Sequence, residues 1–222
     1  MLYIIPTPVG NLEDITLRAV RILKEVRLIL AEDTRQTKKL LDHYQISNSL
    51  QAYHKFNERK SCEPIIQQLQ SGIDIALVSD GGTPGISDPG YILVEACMEA
   101  GVKVQCLPGA TAFVPALVNS GFDTSSFVFE GFLPHKKGRE TMFKKMALEK
   151  RVIILYESPY RIIKMLEQME QFIGNERMIS ISREISKIYE ETLRGTATEL
   201  LAHFKIKEPR GEFVVILGPK PK

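Results

Sequence analysis

The sequence is poor in cysteine and histidine, and its charge is close to balance. It carries three cysteines in 222 residues, Cys62, Cys97 and Cys106, and no C-x-x-C spacing. That excludes a disulfide framework and points to reduced thiols. Cys97 and Cys106 fall in apolar runs and read as buried structural cysteines. His43, His54, His135 and His203 are scattered without ligand spacing, so no metal is expected. A formal charge of +2 does not mark a broadly basic nucleic-acid binder, although a local basic patch remains open. No apolar run approaches the ~20 residues of a membrane span. The start, Met1–Pro6, lacks a basic n-region and a long apolar h-region; it reads as a first strand, and a cytoplasmic location is expected. G-x-x-x-x-G-K-[ST], H-E-x-x-H and G-x-S-x-G are all missing, which removes the P-loop, the zincin site and the nucleophile elbow.

What is present is a set of glycine–proline loops at the ends of apolar strands. The most informative is Ser79–Gly90, twelve residues holding four Gly, two Pro and two Asp. It follows the apolar run Ile73–Val78 and precedes the helical run Tyr91–Met98. Simple connections of this kind are usually about 2–6 residues long, so a plain surface turn is disfavoured. Glycine lets backbone approach a ligand, and in an open α/β sheet ligands sit at the carboxyl ends of the strands. Pro6–Asn11 and Pro108–Thr111 are two further loops of the same kind, and the three could converge on one crevice. Without a phosphate-binding lysine they favour a nucleoside that carries no triphosphate.

Strands are expected at 2–5, 28–31, 50–53, 73–79 and 102–107. They alternate with helices at 16–26, 58–70 and 91–98, and with a helix capped by Asp33 or Thr34. That order implies a parallel sheet covered on both faces. Residues 109–125 read as a hinge region, giving domains at 1–112 and 120–222. The second half has a different rhythm. Strands are expected near 127–130, 152–156, 178–183, 189–194 and 212–217, and helices at 139–150, 160–172 and 196–204. The successive strands at 178–183 and 189–194 suggest an antiparallel pair, hence a mixed sheet.

Several segments, in this order and spacing, carry a family resemblance: Pro6–Leu12, Ala31-Glu32-Asp33-Thr34-Arg35, Val78–Gly90, Pro108-Gly109-Ala110, Phe129–Pro134, Glu157-Ser158-Pro159-Tyr160-Arg161, Arg183-Glu184 and Gly211-Glu212. The chain resembles the tetrapyrrole methylase superfamily of S-adenosylmethionine-dependent methyltransferases over almost its whole length, and within it the ribosomal RNA branch. The resemblance implies two α/β domains, the first with a mainly parallel sheet and the second with a mixed one, and the cofactor in the cleft between them. Val9, Gly10, Gly81, Gly82, Thr83, Ile86, Thr111 and Ala112 would line S-adenosylmethionine. The expected reaction is 2′-O-methylation of a cytidine ribose in 16S rRNA, as free RNA or within the 30S subunit, by a homodimer. A methyltransferase acting on a small tetrapyrrole is the alternative, and a non-catalytic nucleotide-binding module is a third reading. Tyr160 departs from the pattern, which leads one to expect histidine there. The sequence also ends soon after Leu217, where many relatives continue.

Such a transfer needs the ribose oxygen in line behind the methyl group and a group that accepts its proton. Glu32, Asp33, Glu157 and Glu184 are the candidate acceptors, each with a bland alternative as a cap or an ion-pair partner. RNA needs phosphate contacts. Arg35, with Lys38 and Lys39, marks one helix start; Lys136, Lys137 and Arg139 follow Pro134; Arg161 lies in the Glu157–Arg161 segment. Phe132 could stack on an unpaired base.

Overall fold

The computed structural model describes residues 1–221, which divide into two compact units, Met1–Thr111 and Ala112–Lys222. In the first, β1 (Leu2–Ile4), β2 (Leu28–Ala31), β3 (Leu50–Ala52), β4 (Ile75–Val78) and β5 (Val104–Cys106) form one sheet in the order β3-β2-β4-β1-β5. Every pairing in it is parallel. The cause lies in the alternation of side chains along each strand. Ile75 and Leu77 of β4 point into one apolar cluster with Leu2, Ile4 and Leu30. Ala76 and Val78 point into another with Ile5, Ile29 and Ala31. A sheet apolar on both faces must be covered on both, as parallel sheets are.

Helices α1 (Leu17–Glu25) and α2 (Thr34–His43) supply Ala19, Ile22, Leu23 and Leu41 to the second of these clusters. Helices α3 (Glu58–Gln70) and α4 (Tyr91–Glu99) supply Cys62, Ile65, Leu69, Leu93 and Cys97 to the first. Thr16 caps α1 by accepting the Ala19 N–H, and Asp33 caps α2 by accepting the Arg35 N–H. Cys97 is buried as its apolar run implied, but Cys106 is exposed. It ends the edge strand β5, and an apolar run does not by itself distinguish an edge strand from a central one.

The second unit begins with α5 (Phe113–Ser120), which lies against its sheet. The strands are β6 (Phe127–Phe132), β7 (Val152–Glu157), β8 (Ile179–Arg183), β9 (Glu191–Gly195) and β10 (Phe213–Leu217), in the order β6-β7-β10-β8-β9. Only β6 and β7 pair in parallel; the other pairings are antiparallel, including β8 with β9. A register shift between Phe129 and Gly131 breaks the β6 alternation, as a β-bulge does. Helices α6 (Arg139–Leu148), α7 (Ile162–Ile173) and α8 (Ala197–Ile206) close one face over Phe143, Met165, Leu166, Leu201, Phe204 and Val215.

Candidate active site

Three loops leave the carboxyl edge of the parallel sheet, and backbone contacts tie them together. Thr7 and Gly82 exchange N–H···O bonds of 2.9 and 2.8 Å, joining the β1 loop to the β4 loop. The Thr83 hydroxyl donates to the Ala110 carbonyl at 3.1 Å, joining the β4 loop to the β5 loop. Gly109 closes the third side: a Cβ there would lie 2.6 Å from Pro6 Cβ. At Gly81 an added Cβ would sit 3.3 Å from the Pro8 carbonyl oxygen, and Gly82 has φ +92°, where L side chains are strained. Gly109 is therefore required by loop-on-loop packing and Gly82 by backbone conformation, while a Cβ at Gly81 asks for only a small shift of the Pro8 carbonyl. The N–H groups of Val9, Gly81 and Thr83 make no backbone hydrogen bond among the described residues. Val9 is half-buried, whereas Gly10 and Ile86 are exposed. Thr111 ends the first unit, and Ala112 precedes α5 in the second.

Carboxylates gather at the same edge. Asp80 accepts the Asp33 N–H at 3.0 Å, linking the β2 and β4 ends. Burial raises the Glu32 carboxyl, and the nearby Asp80 charge adds to this. Asp88 is pushed up to about 7, chiefly by burial, then by Glu32, with Ser79 opposing and Asp80 adding. Asp33 behaves oppositely. Its carboxylate takes the Arg35 guanidinium at 2.6 and 3.0 Å as well as the Arg35 N–H, and is held down at about 2. Asp33 is a cap and an ion-pair partner, with both carboxylate oxygens engaged by Arg35. Asp88 is not among the acceptors that the sequence singled out. Its segment, Ser87-Asp88-Pro89-Gly90, was legible as a turn, but the signal that could have found it is the spacing of two acids around one glycine-rich loop.

Most of the remaining candidates lie in the second unit, and the structure speaks against two of them. Glu157 has no exposed side-chain surface and receives Arg161 at 2.7 Å and Arg139 at 3.3 Å. A carboxylate enclosed by two guanidinia has no free face for a proton or a ligand, an arrangement that suits an ion-pair role and speaks against a base. Arg139 is corrected with it: it is buried, donating also to Gln168 Oε1 at 2.7 Å and to the Pro134 carbonyl, and it has nothing to offer a phosphate. Arg161 binds inward too, to Ser158, the Leu133 carbonyl and His135, with one-fifth of its side chain exposed. Lys136 and Lys137 remain exposed in the β6–α6 loop, as does Phe132, whose ring lies 5.4 Å from that of Tyr156. Tyr160 is almost fully exposed, so the ordering of its segment rests on Glu157 and Arg161 and does not need a histidine.

Glu184 sits at φ +52°. Its Oε1 accepts the Lys187 ammonium at 2.9 Å and the Glu212 N–H at 3.0 Å. Burial alone would raise this carboxyl, yet Lys187 and the Glu212 N–H together hold it lowered. Gly211 beside it has φ +85°, where L side chains are strained, and a Cβ there would also displace the Glu184 side chain. Among the basic residues of α2, Arg35 is paired with Asp33, Lys38 with Asp42, and Lys39 donates to Gln36.

Fold and loops define a class: a two-sheet α/β protein that presents glycine-rich backbone and tuned carboxylates at the carboxyl edge of its parallel sheet. The model of the tetrapyrrole (corrin/porphyrin) methylases matches residues 1–201, and the chain belongs to that family. It is 48% identical to the ribosomal RNA small subunit methyltransferase I of Synechocystis sp., over 100% of this chain and 80% of that protein. It is 46% identical to the protein of the same name from Thermotoga maritima, over 99% and 98%. Solved structures share the fold at lower identity. The methyltransferase CobJ superposes with a TM-score of 0.73 at 17% identity, over 98% of this chain and 93% of that one. Uroporphyrin-III C-methyl transferase from Thermus thermophilus, complexed with S-adenyl homocysteine, superposes with a TM-score of 0.68 at 19% identity, over 98% and 96%.

Proposed function

We propose that this chain is an S-adenosylmethionine-dependent methyltransferase of small-subunit ribosomal RNA, transferring a methyl group to the ribose 2′-oxygen of a cytidine. The observation that carries the reading is the junction of three glycine–proline loops beside raised carboxylates, in a chain whose relatives at 46–48% identity are named for that RNA. The tetrapyrrole alternative rests on fold neighbours at 17–19% identity and is the weaker one.

Open amides and missing side chains fit an adenosyl ligand with a carboxylate. Val9, Gly81 and Thr83 would offer N–H groups, and Gly81 and Gly82 let the ligand approach the backbone. When bound, S-adenosylmethionine supplies a methyl group already activated on sulfur. The protein's part is to align the ribose oxygen and to take its proton. Asp88 suits the second task, because a base is most effective when its pKa lies near the working pH. Glu32 and Asp80 tune it, and Lys136, Lys137 and Phe132 are the groups open to RNA.

Gly81→Val should weaken S-adenosylmethionine binding at least about tenfold without unfolding the protein, because the new side chain must displace the Pro8 carbonyl or occupy ligand space. Calorimetric titration with a parallel melting curve checks this, and unchanged affinity would move the cofactor elsewhere. Gly82→Val is the poorer test, since positive φ makes any side chain there strain the fold. The finer assembly proposal is a homodimer, as the family resemblance implied; light scattering at micromolar concentration should return twice the chain mass, and a monomer mass counts against it. The functional test offers labelled S-adenosylmethionine with 30S subunits and, separately, with uroporphyrinogen III. Label is expected in RNA, and label in the macrocycle alone would reverse the choice.

A further inference from the structure

The connection from β3 to α3 leaves the same carboxyl edge as the β2 and β4 ends, because β3 runs parallel beside β2. Its form is fixed. Tyr53 is fully buried, and its N–H continues the ladder to the Ala31 carbonyl at 2.8 Å. The Asn57 side chain then closes a turn. Its Oδ1 accepts the His54 N–H at 2.8 Å, and its Nδ2 donates to the Ala52 carbonyl at 3.0 Å. The His54 carbonyl takes the Asn57 and Glu58 N–H groups, both at 2.9 Å. Lys55 and Phe56 are left at the tip, and Phe56 is 83% exposed. A turn pinned from both sides holds that ring out in water.

The surroundings of the ring are cationic. Lys55 Nζ lies 5.0 Å from its centroid. Arg59 and Lys60 follow in the first turn of α3, and both are exposed. None of the three cations makes an ion pair among the described residues, although α3 also carries Glu58 and Glu63. In α2, by contrast, Asp33 and Asp42 neutralise Arg35 and Lys38. Cations in a first turn also oppose the helix dipole, which favours anions there. The turn stands beside the candidate site as well: burial and Asp80 raise the Glu32 carboxyl, and the Lys55 and His54 charges oppose them.

An exposed ring among unpaired cations is how proteins hold single-stranded nucleic acid, with bases stacked on the ring and cations along the phosphates. A small ligand is instead enclosed in a concave site, and nothing encloses Phe56. Resting on the RNA reading above, we propose that the β3–α3 turn is an RNA contact of the first unit, in which Phe56 stacks on an unpaired base and Lys55, Arg59 and Lys60 hold neighbouring phosphates.

The test is the affinity for free 16S rRNA at several salt concentrations. The triple variant Lys55→Ala/Arg59→Ala/Lys60→Ala should bind more weakly and lower the slope of log affinity against log salt by about 2, each single-strand phosphate contact contributing about 0.7. Phe56→Ala should bind about tenfold more weakly at every salt concentration, with the slope unchanged, as for one lost stacking contact. Phe56→Tyr should keep most of the affinity. All these side chains are exposed, so melting temperature should stay at the wild-type value, and so should S-adenosylmethionine affinity. With 30S subunits and labelled cofactor, the loss should fall on KM rather than kcat. Wild-type affinity in Phe56→Ala overturns the stacking, and an unchanged slope in the triple variant overturns the phosphate contacts. RNA binding lost in step with stability or cofactor affinity overturns both. Variants that bind free RNA normally but 30S subunits poorly would assign the turn to a protein of the subunit and overturn the RNA contact. A wild type that binds and labels no RNA overturns the functional reading and this assignment with it, whereas variants equal to an RNA-binding wild type overturn the assignment alone.

Discussion

Asp88→Asn is expected to slow methyl transfer about a hundredfold or more, the usual contribution of a positioned base, while leaving cofactor affinity close to wild type. The wild-type rate should rise with pH and level off above about 7, the value to which burial and the Glu32 and Asp80 charges push this carboxyl. The variant should lose that limb. Stability should move the other way. The folded pKa lies above the ordinary value of 3.8, so between the two the native state binds more protons than the unfolded chain. The Asp88 contribution is full below the ordinary value and is lost as pH rises through the folded one. An asparagine escapes that loss, so at pH 8 the variant should be more stable by about 1–2 kcal/mol, after allowance for partial solvent screening. A variant that is less active and more stable identifies a residue held in an unfavourable environment for function. Unchanged turnover in Asp88→Asn would remove Asp88 from the chemistry.

Glu157→Gln is expected to give the largest loss of stability of any single polar substitution in the second unit. The side chain is fully buried and neutralises Arg139, itself 5% exposed, and Arg161 together. Its Oε1 also accepts the Ser158 N–H at 2.9 Å, which fixes the turn into α7. A neutral amide leaves two guanidinia in a largely closed space and points one N–H₂ group at donors. Breaking such a pair from one side costs about 3–5 kcal/mol, which for a unit of this size is a drop of ~10 °C or more in melting temperature. Thermal and urea unfolding read the effect directly. A melting temperature within about 2 °C of wild type would show that the cluster contributes little, as many ion pairs do.

Most of the fold was legible because periodicity records burial. The strand at 28–31 and the helix at 58–70 are found where the pattern put them, as β2 and α3. The clean alternation of Ile75 to Val78 between two clusters makes the parallel sheet readable from four letters. The antiparallel β8–β9 pair was legible from two strand signals with only a short connection. Side-chain partnership was less legible. Arg139 stands in a basic stretch and looks like a phosphate contact, but the partner that draws it inward, Glu157, is eighteen residues away in sequence. Asp33 and Asp88 are the same residue type in the connections after β2 and β4, and their opposite protonation behaviour comes from Arg35 at the first and from burial beside Glu32 at the second, which the folded chain assembles. Cys106 shows the same limit at an edge strand.

Methylation of a ribose of small-subunit RNA is the activity proposed for this chain. The most direct test is nucleoside mass spectrometry of 16S rRNA from 30S subunits lacking the modification, before and after incubation with the protein and S-adenosylmethionine. One new 2′-O-methylcytidine per subunit, absent without the cofactor and nearly absent with Asp88→Asn, is the predicted result. RNA that gains no methylated nucleoside, from protein shown to be folded and to bind the cofactor, would contradict the account.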